Sequence, residues 1–197
     1  MRGVVLFLRS RRAVLLLLAL LGAGVVGRIW GAHGYRVGQQ VPTILPWSMF
    51  LPLCCAYAIG VSAASPLPDG ELLGRRCIRG YVRGYLVVAT VLAVVAIAWA
   101  MSRTPPPISA PAALRDLAGM LGLSLVSIAV AGASSGWVLP GGLMFCAIIL
   151  RMGDVDFLPV TWLVRDDSDT VSRIIAAGLF VAGGVATHWW PRHGQLT

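Results

Sequence analysis

Long apolar runs separated by short polar segments follow one another along the whole chain. The hydrocarbon core of a bilayer is about 30 Å thick, and a helix needs about 20 apolar residues to cross it. By this measure the pattern predicts six spans, at residues 13–30, 44–64, 85–101, 112–133, 137–150 and 171–190. We therefore expect an all-α fold: a polytopic membrane helical bundle of about six transmembrane helices, forming a single transmembrane domain over residues 1–197.

Proline and glycine interrupt two of these runs. Pro42, Pro46 and Pro52 fall at the beginning of the second span, and Pro140 is followed by two glycines early in the fifth. A proline inside a helix removes one N–H donor and clashes with the preceding turn. We therefore expect the outer half of the second span to be kinked or partly unwound, and the fifth to be partly unwound at Pro140. Because the fifth run is short, spans four and five form either a full crossing pair or a partial re-entrant one.

Charge is sparse and strongly biased. Hydrophobic residues make up 57% of the chain and charged residues 12%, about half the share usual in soluble domains. The net charge is +8, and the basic residues, all arginine, flank the apolar runs. They are therefore topology signals first, and no nucleic-acid partner is expected. Four arginines precede the first span and predict a cytoplasmic N-terminus, and six spans then place the C-terminus in the cytoplasm too.

The polar insert at residues 65–84 lies between the second and third spans. In a helix, Arg75, Arg79 and Arg83 form one basic stripe, and Asp69 is positioned to cap the helix start. Two interpretations follow. The insert is either a positive-inside loop that only sets topology, or a docking helix for a cytoplasmic partner.

Candidate chemistry is thin elsewhere. The turn GASSG contains Ser134 and Ser135, which with His188 as a base would give an intramembrane hydrolase, although nothing else of that pattern is present. Arg115 and Asp116 stand at the mouth of the fourth span and are expected to be neighbours in sequence, not partners on one helix face. No acid or lysine lies in the middle of a span, which argues against a proton relay.

The last outer loop, residues 151–170, contains five of the eight acidic residues and should form a solvated acidic rim. Its apolar stretch, residues 157–164, is expected to lie in the membrane interface or to dip back into the bundle. The four cysteines show no spacing typical of a metal site. We predict no cofactor and no metal site.

This layout resembles the membrane (permease) subunit of ATP-binding-cassette transporters of the type-2 exporter class, and also small permease-like proteins of actinomycetes. The resemblance is carried by six spans with both termini inside and by the basic helix after span two. A fifth span kinked at Pro140 and a half-apolar outer segment at 157–164 also fit it.

In that family the insert docks on a separate nucleotide-binding ATPase. The resemblance therefore implies such a partner, a second copy or a related membrane subunit, and a bacterial plasma membrane. It assigns ATPase docking to Glu71, Arg75, Arg76, Arg79 and Arg83. It places an amphipathic substrate beside spans two and five, at Pro46, Trp47, Phe50, Pro140 and Phe145. The chain itself would then be a transport component and not an enzyme.

Two other classes of function stay open. One is an accessory, structural or immunity-type membrane protein whose basic insert touches anionic lipid or another subunit. The other is the hydrolase at GASSG. The sequence leaves open the substrate, the direction of transport, homodimer against heteromer, and the identity of the ATPase.

Overall fold

The computed structural model describes residues 12–30, 33–37, 43–46, 49–63, 75–102, 109–152, 157–165 and 169–189. Within these ranges the chain is an all-α membrane helical bundle, as predicted, with one short antiparallel hairpin. The helices are α1 (Ala13–Trp30), α2 (Phe50–Ala63), α3 (Arg75–Met101), α4 (Ala110–Ala131), α5 (Val138–Met152), α6 (Leu158–Thr161) and α7 (Thr170–Trp189). The strands are β1 (Gly34–Val37) and β2 (Thr43–Pro46), and short 3₁₀ turns occupy Ala133–Ser135 and Trp162–Val164.

Contacts between helix ends define two opposite ends of the bundle. At the hairpin end of the bundle, Gly27 of α1 lies against Leu51 of α2. Arg28, also in the last turn of α1, donates to the carbonyl of Trp99 at 2.9 Å and lies 4.6 Å from the centre of its ring. One guanidinium thus stands at the C-termini of both α1 and α3, where a cation is favoured by both helix dipoles.

At the other end, the turn end, Gly60 of α2 packs against Ser124 and Ile128 of α4. Successive long helices therefore run in opposite directions through the bundle. α4 and α7 run in the same direction, because α5 runs back between them and the short segment Leu158–Val164 only connects α5 to α7 at the hairpin end.

The central element is α4. Its membrane-length window is 67% buried, against 17% for α1 and for α7. It packs mainly against α7 and α2, and also contacts α3 and α5. Small residues make this possible, since a Cβ on Gly183 of α7 would lie only 2.6 Å from the Cα of Gly122 of α4. Close backbone approach through glycine is how helices associate in lipid, where no hydrophobic force drives them together.

The second and fifth predicted spans need correction. Helix α2 begins at Phe50 and not at residue 44, because residues 43–46 pair with β1 as a strand. Pro52 then falls in the first turn of α2, where its missing N–H would have no helical partner anyway. Helix α5 is continuous from Val138, so the expected unwinding at Pro140 is wrong for the same reason: Pro140 is in the first turn.

The third span is extended by the insert. Helix α3 is one piece of 27 residues, about 40 Å long, and it begins ten residues before the predicted start of the span. The end of the insert is thus the first part of the membrane helix, with no break between them. The expected cap at Asp69 lies outside the described residues.

Four helices of the described chain, α1, α3, α4 and α7, are long and apolar enough to cross a bilayer. The apolar helices α2 and α5 are shorter, and the 14 residues of α2 extend about 21 Å. The protein is therefore a multi-helix membrane protein. Six complete crossings and cytoplasmic termini stay predictions, with which the alternating helix directions agree.

Candidate functional site

The basic residues of the insert are concentrated at the beginning of α3. Arg75, Arg76, Arg79 and Arg83 all fall within the first nine residues of this helix. Its N-terminus already has a partial positive charge from the aligned peptide dipoles, so clustered cations there are electrostatically unfavourable in isolation. An anionic partner, protein or lipid, would remove this penalty. Glu71, the remaining residue assigned to docking, lies outside the described residues.

The next turn of α3 has an open face among the described residues. A Cβ added at Gly80 or at Gly84 would meet nothing within 4 Å. Tyr81 is 51% exposed and Arg83 is also exposed. From Tyr85 onward, by contrast, one face is buried, with Ala89 and Ala93 in the core. The basic end of α3, residues 75–83, thus has an open face at Gly80, and its continuation from Tyr85 is packed inside the bundle.

Of the residues assigned to a substrate path, Phe50, Pro140 and Phe145 have described side chains, and these lie at different levels of the bundle. Phe50 is half-buried at the start of α2, at the hairpin end. Pro140 is fully buried near the turn end, and Phe145, one and a half turns along α5, is 65% exposed. Pro46 lies on β2, and Trp47 is outside the described residues. A shared path through these residues stays a prediction and would need a second chain.

The GASSG turn has a structural explanation. The hydroxyl of Ser135 donates to the carbonyls of Gly132 at 2.6 Å and of Ser127 at 3.2 Å. The hydroxyl of Ser127 donates in return to the carbonyl of Ser135. This reciprocal pair closes α4 onto the 3₁₀ turn, and Gly132 has the positive φ of 90° that lets the chain leave the helix. The Ser135 hydroxyl is therefore engaged with backbone carbonyls, Ser134 is exposed, and the side chain of His188 lies outside the described residues, so the hydrolase at GASSG stays a prediction.

A buried ion pair lies near the hairpin end of α4. The guanidinium of Arg115 contacts Oδ1 of Asp116 at 3.0 Å, and the two side chains are only 5% and 6% exposed. The two residues are sequence neighbours and not partners on one helix face, and the ion pair forms because the long arginine side chain folds back to its neighbour. They lie about 8 Å along the axis from the start of α4. Paired burial is the usual way in which a membrane bundle accommodates such charges.

Arg115 also links α4 to the outer segment. One of its terminal nitrogens donates to the backbone carbonyl of Arg165 at 3.2 Å. Three residues earlier, Trp162 is fully buried against Gly119 of α4, with two ring carbons 3.0 and 3.1 Å from where a Cβ on Gly119 would lie and a third closer still. The part of the apolar stretch from Thr161 to Leu163 thus packs into the bundle, whereas Phe157 is exposed. The sequence signal for this contact was a tryptophan in a short apolar run and a glycine one turn after Arg115, but it does not say that the two residues meet.

Asp169 caps the start of α7. Its Oδ1 accepts from the N–H of Val171 at 3.2 Å, and its other oxygen accepts from the hydroxyl of Ser172. Arg165 lies 3.5 Å away. The Ser172 hydroxyl above all, then the Val171 N–H and the Arg165 charge, hold the pKa of Asp169 below its usual range against an opposing effect of partial burial. At least one of the predicted rim acids is therefore structural.

Among the described residues, no group of three His, Cys, Asp or Glu side chains is placed to hold a metal ion. The described fold defines an all-α membrane protein in which the arginines of the insert begin a membrane-length helix. Comparisons with protein-family models, with curated proteins and with solved structures found no match.

Proposed function

We propose that the chain is the membrane subunit of a transporter in a bacterial plasma membrane, energised by a separate cytoplasmic ATPase that docks on the basic end of α3. The observation that carries this proposal is the continuity of α3 from Arg75 to Met101. An unbroken helix moves as one rod, so a partner that displaces its basic end also displaces the part inside the bundle.

The packing of α3 would transmit this displacement to neighbouring helices. Ala89, Ala93 and Ile97 are buried in the core, and α3 contacts both α1 and α2. At its far end the Trp99 carbonyl is held by Arg28 of α1. A push on the basic end would thus reach the opposite end of the bundle through α3 and α1 together.

The charge of the basic end selects the kind of partner. Four arginines at a helix N-terminus favour an acidic surface, and the open space at Gly80 and Gly84 leaves room for one. The sequence contains no nucleotide-binding motif of its own, so ATP hydrolysis would be performed by the partner. The substrate we propose is amphipathic and passes between this chain and a second copy or a related membrane subunit.

The test is purification from the native membrane in mild detergent, followed by mass spectrometry of the associated proteins. We expect a stoichiometric nucleotide-binding subunit with the parent chain. The double variant Arg75→Glu/Arg79→Glu should lose it, because reversed charge repels an acidic surface. The matched control Arg75→Lys/Arg79→Lys keeps the charge and should retain most of it.

Two outcomes would contradict the proposal. If no ATPase accompanies the parent chain, the accessory interpretation takes its place. If the glutamate variant keeps the ATPase, docking does not use this helix end. A reporter fused to the C-terminus must show the same topology in all three proteins, because removing cytoplasmic arginines can alter insertion.

A further inference from the structure

The segment Phe157–Arg165, here called the strap, closes the hairpin end of the bundle between three helices. Its helix α6 packs on α5, and its 3₁₀ turn Trp162–Val164 contacts both α5 and α7. Internal hydrogen bonds give it a shape of its own, since the carbonyl of Phe157 accepts from the N–H groups of Val160 and Thr161, both at 2.9 Å. The strap is thus a small folded unit that lies across the ends of longer helices.

Two contacts anchor the strap to α4, and they lie on one stripe of that helix. Arg115 donates to the Arg165 carbonyl, and Gly119, one turn further, receives the ring of Trp162. The ring fits only because residue 119 has no side chain. Arg115 is at the same time held by Asp116, which fixes its guanidinium in place.

The anchoring tryptophan is imperfectly accommodated. Trp162 is fully buried, yet its Nε1 finds no hydrogen-bond partner among the described residues. A buried donor without a partner is unfavourable, and it regains a partner in water when the ring leaves its site. Burial of the ring stabilises the docked state, and loss of the hydrogen bond from the N–H to water destabilises it. Because these two contributions oppose one another, docking of the ring is reversible.

We propose that the strap is a releasable plug: Trp162 leaves the Gly119 notch, Arg115 gives up the Arg165 carbonyl, and the junction of α4, α5 and α7 opens at the hairpin end. This inference does not depend on the ATPase or on transport. It concerns the chain alone, and it is tested on the purified protein in lipid nanodiscs, where both faces are accessible.

The reporter is Thr161→Cys in a background whose four cysteines are replaced by alanine. Thr161 is 3% exposed in the docked strap, so a thiol there reacts with a membrane-impermeant maleimide only when the strap is released. The parent reporter should label slowly but completely. Adding Gly119→Ala should raise the rate at least ~10-fold, because its Cβ occupies the site of the ring.

The matched control is Gly184→Ala on α7, which makes the same chemical change where a Cβ meets nothing within 4 Å. It should leave the labelling rate unchanged. A second measurement replaces the indole of Trp162 by the isosteric benzothiophene through amber suppression. This keeps the ring and removes the N–H, so labelling should become about tenfold slower.

The proposal is overturned if the parent reporter stays unlabelled while the denatured protein labels fully, because the plug is then fixed. It is also overturned if Gly119→Ala labels no faster than Gly184→Ala. If Gly119→Ala does not fold, the benzothiophene protein decides: slower labelling than the parent supports release, and an equal or faster rate refutes the part assigned to the N–H group.

Discussion

Gly183 and Gly184 are neighbours on α7 with opposite surroundings, and this makes them a sensitive test of the α4–α7 crossing. A Cβ on Gly183 would lie 2.6 Å from the Cα of Gly122 and 2.7 Å from its carbonyl oxygen. A Cβ on Gly184 would meet nothing within 4 Å. The same substitution, glycine to alanine, is therefore a backbone clash at one residue and harmless at the next.

The size of the effect follows from the atoms involved. Ordinary contact begins near 3.4 Å, so Gly183→Ala requires α4 and α7 to separate locally by about 0.8 Å. Overpacking of this kind costs about 1–3 kcal/mol, and we expect ~2 kcal/mol because backbone atoms cannot rotate away as a side chain can. Alanine also improves helix propensity over glycine by about 1 kcal/mol, equally at both positions. The difference between the two variants thus isolates the clash.

The assay is an SDS titration of the protein in mixed micelles, with unfolding followed by the fluorescence of the seven tryptophans. Gly183→Ala should lower the free energy of unfolding relative to Gly184→Ala by about 2 kcal/mol. Gly184→Ala should equal or slightly exceed the parent. Equal stability of the two variants would refute the close backbone crossing, and with it the central position given to α4.

Three further perturbations test other contacts. Arg28→Ala should destabilise the protein by about 1–2 kcal/mol, since it removes both the cap on the Trp99 carbonyl and the cation–π contact, and Arg28→Lys should recover only part of this loss in the same titration. Ser124→Ala should be neutral or stabilising by up to about 1 kcal/mol, because it removes a fully buried hydroxyl without a partner among the described residues; a clear loss of stability would reveal a partner. The lowered pKa of Asp169 means that its charged form stabilises the fold above the unfolded value of 3.8, and that this stabilisation is lost as the pH falls through the lower folded value. In a plot of melting temperature against pH, Asp169→Asn should therefore make the fall below about pH 4 less steep. An unchanged fall would show that the cap contributes nothing to stability.

The helices were largely predictable because each apolar run has to satisfy its own backbone in lipid. The predicted bounds of the first span, 13–30, coincide with α1, and the fourth and sixth runs match α4 and α7 within two residues at each end. The second span shows where this reasoning fails. Residues 44–49 are as apolar as a helix would be, yet residues 43–46 pair with β1, which is a contact that hydropathy does not encode.

The candidate sites also combine features that local spacing predicts with contacts that it does not. The basic stripe from Arg75 to Arg83 could be placed on a helix from spacing alone, and the backbone there is indeed helical. The sequence pattern separates the insert from the third span, whereas the structure joins its last ten residues to that span in one continuous helix. The pairing of Trp162 with Gly119 joins positions 43 residues apart in sequence, and no local pattern indicates it.

The sequence by itself determined that this protein is a helical membrane bundle with a basic insert, because the apolar runs and the arginines that flank them are local features. Only the tertiary structure decided which glycines face a neighbour, that Arg115 folds onto Asp116, and that the strap is fastened to α4. Such contacts depend on differences of less than an ångström in the spacing of neighbouring helices. They arise when helices pack, and composition and periodicity along one helix say nothing about what lies on the next.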